Sequence, residues 1–349
     1  MCRWFAYISP TEECLLEDVL ITPAHSLSKQ VHAHYLPKLI SHLPGEETTQ
    51  SEISLRNRLN NVDGFGIAWY TPARSSFISA TSGPRPSLYK HSQPPTNDLN
   101  FHSICANTST LTLFAHIRAA TATAVTPINS HPFVFGRHTI MHNGVVSSFN
   151  SIRRDLLDLL DQDTFEHIKG TTDSEHMAAL YMTYLSKSKG GGASSWERSY
   201  LVSEMKAALA SAFTSIIKLQ HRLLGRDNAQ ANSLNVCCTD GTRLIAFRFR
   251  NHVNEQPPSL YYSTTAGVTL NRKYPDNHDG TPNPNASRNA LEHGDHVIVA
   301  SEPTTYHAEE WQTIPKNNAV LLDSEGKVRV EKIETEEELM VTEKSAGHG

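Results

Sequence analysis

Short apolar or alternating runs recur along almost the whole chain, at 3–8, 64–70, 111–117, 138–142, 234–238, 243–250, 259–264, 296–300 and 319–322. Each is too brief for an ordinary helix, and alternation puts successive side chains on opposite faces, so all nine are predicted strands. A chain with this many strands must build sheets and cover their apolar faces. Thr239-Asp240-Gly241 separates two of the runs and carries the Asp-Gly turn signal, which predicts a hairpin there.

Helices are fewer. Ile152, Leu156, Leu159 and Leu160 lie at helical spacing within 151–160, with Arg153, Arg154, Asp155 and Asp158 left for solvent. Thr172 and Glu175 have capping-box spacing ahead of a stripe of Ala178, Tyr181, Tyr184 and Leu185, which predicts a helix starting at Thr172. A third is expected from about 196 to 224, stopped by Gly225. The Pro- and Ser-rich 71–100 and the glycine-bearing 186–195 read as insertions without a stable period. Residues 331–349 hold six Glu against two Lys and few apolar residues, which predicts a loose, disordered tail after one domain spanning 2–330.

A net charge of -5 gives no electrostatic reason to expect nucleic acid or an anionic membrane as a partner. The N-terminal MCRWFAYISP has too short an apolar run for a secretory signal, and no later stretch reaches membrane-spanning length, so a cytoplasmic setting is expected. Five cysteines (Cys2, Cys14, Cys105, Cys237, Cys238) without CxxC spacing fit neither a disulfide framework nor a zinc knuckle and are expected to be reduced thiols. The 19 histidines raise the question of a metal, but no HExxH pair occurs. His32 and His34 would share a face only in a strand, so no metal site is expected.

Cys2 follows the initiator methionine, and its small side chain is of the kind that permits methionine removal. Processing would give one residue both a thiol and a free α-amine. An α-amine with a pKa of about 7.7–8.0 can take the proton of a thiol of about 8.5, directly or through water. Taken alone, Cys2 reads as a residue that merely begins a strand. Its company is FAHIRAAT (114–121), MHNG (141–144) and GTTDSE (170–175), in that order.

With these residues the chain resembles the class II glutamine amidotransferases of the N-terminal nucleophile hydrolase superfamily, whose hallmarks are an N-terminal Cys, Arg-x-x-Thr, Asn-Gly and a later Asp. The resemblance extends from residue 2 to about 323 through MCRWFAYIS, TPAHSLSKQ (22–30), NVDGFGIAWY (61–70), NDLNF (97–101), NSHPF (129–133), MHNGVVSSF (141–149), TTDSEH (171–176) and VASEPTT (299–305). This ordered set is most similar to the branch holding the amidotransferase-like subunit of a cytosolic glutathione-degrading complex.

The resemblance implies an α+β fold, a four-layer α/β/β/α sandwich of mostly antiparallel sheets. It makes Cys2 the nucleophile and Asn143 with the Gly144 N–H the oxyanion donors. A γ-glutamyl group carries an α-carboxylate and an α-ammonium. Arg118 suits the first and Asp173 the second, with Thr121 adding a hydrogen bond. Without the resemblance, Asn143-Gly144 would be a hairpin turn, Asp173 a helix cap and Arg118 half of a structural ion pair. Asp63, His116, His131 and His142 fall inside the motifs and are read as supporting residues, while Cys237 and Cys238 are read as inert buried thiols.

Many synthase-coupled members carry Trp directly after the Arg, whereas Ala119 and Ala120 stand here. That matches the γ-glutamyl-cleaving branch and argues against ammonia channelling, and the resemblance to that branch implies γ-glutamyl peptidase activity on glutathione or a related peptide, through a thioester, without a cofactor and with a metallopeptidase-like partner subunit. A glutaminase subunit feeding a separate synthase and a non-catalytic scaffold are the alternatives.

Overall fold

The computed structural model describes residues 2–32, 49, 60–78, 82–120 and 123–342. In chain order its strands are β1 (Arg3–Ile8), β2 (Cys14–Leu15), β3 (Phe65–Thr71), β4 (Arg85–His91), β5 (Ser109–Thr110), β6 (Thr112–Ile117), β7 (Phe133–Phe135), β8 (His138–Val145), β9 (Ser233–Thr239), β10 (Leu244–Arg250), β11 (Tyr261–Ser263), β12 (Val297–Ala300), β13 (Gln312–Thr313), β14 (Asn318–Leu322) and β15 (Val328–Lys332). The helices are α1 (Leu16–Leu20), α2 (Ala73–Phe77), α3 (Leu99–Asn107), α4 (Phe149–Leu157), α5 (Gln162–His167), α6 (Asp173–Lys187) and α7 (Val202–Leu224).

Alternation along each strand sorts the side chains into layers. In β1, Trp4, Ala6 and Ile8 pack with Met141, Cys237 and Ala246 between two sheets, whereas Phe5 and Tyr7 turn outward to Leu16, Val19 and Phe101. On the second sheet Ile140, Cys238 and Phe247 face outward to Met177, Tyr181, Leu209 and Phe213 of α6 and α7. The order is β13-β11-β12-β1-β6-β3-β4 in the first sheet and β15-β14-β10-β9-β8-β7 in the second, and every pairing is antiparallel. The expected four-layer α/β/β/α sandwich is present.

Local chemistry sets the boundaries. Thr172 caps α6, its Oγ1 accepting the Glu175 N–H at 3.2 Å. The reciprocal half of a capping box is not made, because the Glu175 carboxylate accepts the Lys169 N–H at 3.0 Å and the Gly170 N–H at 2.7 Å instead. Gly225, at φ 80°, stops α7 as expected. That helix begins at Val202 rather than near 196, since residues 193–197 form a 3-10 turn that buries Trp196.

Two expectations are corrected. Within 71–100, β4 pairs with β3 along its whole length; it escaped detection because it contains Pro86, which an edge strand tolerates. The tail is ordered through 342: β15 runs to Lys332, and Ile333 and Leu339 are buried in the helix-side core. Its acidity is matched by its neighbours, with Glu331 at 2.6 Å from Lys206, Glu336 at 3.1 Å from Lys218 and Glu338 at 3.1 Å from Arg226. Composition alone does not show that these glutamates face the basic residues on and just beyond α7.

Candidate active site

Cys2 heads β1, a central strand held by β12 on one side and β6 on the other, so its position is set by ladders rather than by a loop. The half-buried thiol sits against Ala119, whose N–H approaches Sγ at 3.4 Å and whose carbonyl lies 3.6 Å away. Burial pushes the thiol pKa up; the Ala119 N–H and the Arg118 charge pull it down, and the Asp173 charge raises it. The thiol therefore feels both charges that the sequence paired with a γ-glutamyl group.

Arg118 follows the last residue of β6. Its N–H donates to the Gly64 carbonyl at 2.8 Å, and its own carbonyl accepts the Asp63 N–H at 3.2 Å. Asp63 returns the contact, accepting the Ala120 N–H at 2.8 Å, which is how this supporting residue shapes the segment beside the thiol. The buried guanidinium donates to the Ala124 carbonyl at 3.0 Å and to Thr123 Oγ1. With five N–H donors, it keeps capacity for a carboxylate. Thr121 lies outside the described residues, as does His34.

Asp173 is the first residue of α6, and Thr172 rather than Asp173 is the cap. Its carboxylate accepts the Val146 N–H at 2.9 Å and the Ser174 N–H at 2.8 Å, tying the helix start to the end of β8 and leaving lone pairs for a further donor.

Asn143 and Gly144 sit in the last residues of β8 and pair in register with Asn235 and Leu234 of β9. They are not a turn. His116 Nε2 lies 3.2 Å from the His142 carbonyl, bridging β6 to β8, so Asn143 and Arg118 emerge at the same end of the two sheets. The Asn143 side chain is buried, and its Oδ1 has no hydrogen-bond partner among the described residues. Gly144 has φ 154°, and a Cβ there would lie 1.8 Å from the Ser233 carbonyl oxygen. The close approach that demands glycine is thus made by the neighbouring strand.

Beneath this end lie three buried histidines. The His116 and His131 ring centroids are 4.1 Å apart. Burial lowers the pKa of His116 to about 3 and lowers those of His131 and His142. All three are neutral at physiological pH. His142 Nε2 faces the Ser233 carbonyl at 3.3 Å and Nδ1 faces Ser174 Oγ at 2.9 Å.

Sequence reasoning passed over Ser174 and Asn129. Asn129 donates to the Ala124 carbonyl at 3.0 Å and accepts the Thr171 N–H at 3.0 Å, joining the loop that holds Arg118 to the one that precedes Asp173. Both residues lie inside the quoted motifs TTDSEH and NSHPF, and that is the signal that could have found them. Cys237 and Cys238 are fully buried, with their thiol pKa values raised by burial.

No helix among the described residues is long and apolar enough to cross a membrane. A curated relative, "Probable glutamine amidotransferase DUG3" of Saccharomyces cerevisiae, is 26% identical over 325 residues, covering 92% of this chain and 82% of that protein. A class II glutamine aminotransferase domain protein from Silicibacter pomeroyi superposes with a TM-score of 0.57 at 19% identity, covering 95% of this chain and 99% of that one. The glutamine phosphoribosylpyrophosphate amidotransferase of B. subtilis does so with 0.52 at 13% identity, covering 96% and 50%. At these identities the superpositions bear on fold alone. The family described as "Glutamine amidotransferases class-II" matches residues 51–346, most of the chain, and the protein therefore belongs to the class II glutamine amidotransferases.

Proposed function

We propose that the chain hydrolyses a γ-glutamyl amide through Cys2, acting as a γ-glutamyl peptidase on glutathione or a related peptide. Family membership supports amidotransferase-type chemistry in general. The observation that carries the finer reading is the thiol lying 3.4 Å from the N–H of Ala119, the residue after Arg118, while the Asp173 carboxylate is tied to Val146, two residues after Gly144. Opposite charges near one nucleophile suit a substrate whose α-carboxylate and α-ammonium must both be held while its γ-carbonyl faces the sulfur.

Removal of Met1 would free the Cys2 α-amine, which takes the thiol proton as Sγ attacks the γ-carbonyl. The Asn143 amide and the Gly144 N–H would stabilise the tetrahedral oxyanion. The ammonium then returns its proton to the leaving amine as the C–N bond breaks, leaving a γ-glutamyl thioester. Water attacks the thioester and releases glutamate and the thiol. No cofactor takes part in these steps.

The resemblance of the motifs to the amidotransferase-like subunit of a glutathione-degrading complex extends the proposal to a metallopeptidase-like partner that would consume the released dipeptide. Five free cysteines suit a reducing, cytoplasmic location.

The test is kcat/KM for glutathione and glutamine, with and without that partner, using enzyme whose intact mass lacks Met1. Glutathione should be the better substrate, and Cys2→Ala should lose at least about a thousandfold in kcat while keeping its Tm. Preference for glutamine would make the chain an ammonia-supplying subunit. Wild-type turnover by Cys2→Ala would overturn the mechanism.

A further inference from the structure

β4 and β7 each form one edge of the two sheets, and they flank a cavity of about 350 Å³ outside the site described above. Period-2 alternation turns Leu88 and Lys90 of β4 into it; Phe133 and Phe135 of β7, Ile128 and Glu175 complete the walls used here. Gly66, in register with Lys90, leaves room beside its stem: a Cβ there would lie 2.1 Å from the His131 carbonyl oxygen and 3.0 Å from Lys90 Cγ.

Lys90 is the unusual member. Its Nζ lies 4.9 Å from the centroid of the Phe133 ring, and among the described residues it has no carboxylate within ion-pair distance. An edge strand commonly uses an inward lysine to discourage aggregation, but such a lysine reaches water. Here the side chain is half-buried, with its ammonium beside the Phe133 ring. Burial lowers its pKa to about 8, against an opposing pull from Glu175. The Glu175 carboxylate is engaged by the Lys169 and Gly170 N–H groups, and Lys169 Nζ donates outward to the Glu166 carbonyl at 2.7 Å. A recess walled largely by apolar side chains, with the Lys90 ammonium against the Phe133 ring and Lys169 at its margin, is the composition of a ligand pocket, with the apolar walls supplying affinity and the positive charge fixing orientation.

We propose that this cavity binds a small carboxylate with an apolar body, its carboxylate on Lys90 and its body against Phe133, Phe135, Leu88 and Ile128. The volume lies at the lower end for small-molecule sites, roughly 300–1,000 Å³, and so suits one compact molecule. A bound carboxylate would give the Lys90 ammonium the counter-charge that it lacks. The site contains none of the residues assigned to γ-glutamyl cleavage and does not rest on that assignment. It is nonetheless a neighbour: Ile128 precedes Asn129, whose side chain bridges to Ala124, the residue that Arg118 also holds.

The test is calorimetric titration of the full chain at pH 7 with 3-phenylpropionate as the probe and 3-phenylpropionamide as its uncharged twin. The acid should bind at millimolar concentration or below, and the amide about tenfold or more weakly. Lys90→Met should weaken the acid to the level of the amide, and Lys90→Arg should hold it within about threefold. Ile128→Trp, which fills the recess from an exposed position, should abolish both and serves where Lys90→Met does not fold. No binding to the wild type, equal affinity for acid and amide, or a folded Lys90→Met that binds the acid like wild type would each overturn the proposal. In that last case an aggregating variant would identify Lys90 as an edge guard only.

Discussion

Ser174 shows how much one hydroxyl decides at the candidate site. The Ser233 carbonyl can only accept, so His142, neutral through burial, carries its proton on Nε2, and Nδ1 must accept the Ser174 hydroxyl at 2.9 Å. The same hydroxyl also lies 3.3 Å from Asp173 Oδ1, so the ring nitrogen and the carboxylate share it. Ser174→Ala should cost about 1–3 kcal/mol of stability by stranding a buried ring nitrogen, with KM for γ-glutamyl substrates nearly unchanged. Urea unfolding beside steady-state kinetics checks it; a tenfold rise in KM without loss of stability would mean that Ser174 orients Asp173 instead. Cys2, Arg118, Asn143 and Asp173 were legible because each stands in a short ordered motif. The Ser174–His142 and Asn129–Thr171 contacts were not, since they join residues 32 and 42 positions apart that only the finished fold brings together.

The β9–β10 hairpin was legible at the scale of the element because its chemistry is local. Asp240 Oδ1 accepts the Thr242 and Arg243 N–H groups, each at 2.9 Å, and Gly241 takes φ 91°. β4 and the tail were illegible for the opposite reason. Pro86 is acceptable only because β4 has one partner, and Glu331, Glu336 and Glu338 are paired with Lys206, Lys218 and Arg226, far away in sequence. Burial of Asp240 works against its charge, but Arg137, His138 and the Thr242 donors outweigh it and hold the carboxyl below its ordinary value. A folded-state pKa below the unfolded value of about 3.9 gives stability that is fully present above that pH and lost as pH falls through the folded value. Asp240→Asn should therefore cost roughly 2–4 kcal/mol at neutral pH and flatten the loss below about pH 4, as read from Tm against pH. At the other end of the chain, Leu339→Ala should cost about 2–4 kcal/mol, because its side chain is buried in the helix-side core; a shift below about 0.5 kcal/mol in urea unfolding would return the segment to the status of a loose tail.

The molecule as a whole should be acid-sensitive well above the carboxylate range. Burial lowers the pKa of His116 to about 3 and those of His138, His176 and His296 to about 4, and it takes His131 well below the ordinary value. In each case the unfolded chain binds the proton more readily than the folded one. Stability from this source is complete above about pH 6.5 and declines as pH falls toward the folded values. Tm should fall continuously from pH 7 to pH 5. His131→Phe should reduce that slope without lowering Tm at pH 7, because neither ring nitrogen of His131 has a hydrogen-bond partner among the described residues. An unchanged slope in that variant would remove His131 from the account.

The ladders of β1 also set a schedule. In a chain made from its amino end, the strand behind Cys2 emerges first, but its two neighbours arrive at residues 112–117 and 297–300. At roughly 5–20 residues per second, about 15–60 s separate the first strand from the last of the three. Through that interval the amino end is exposed to the peptidase that would trim Met1, and the thiol has no finished pocket in which to act. The order of synthesis would therefore place any trimming of Met1 on the growing chain, ahead of the hydrolysis proposed for the completed one.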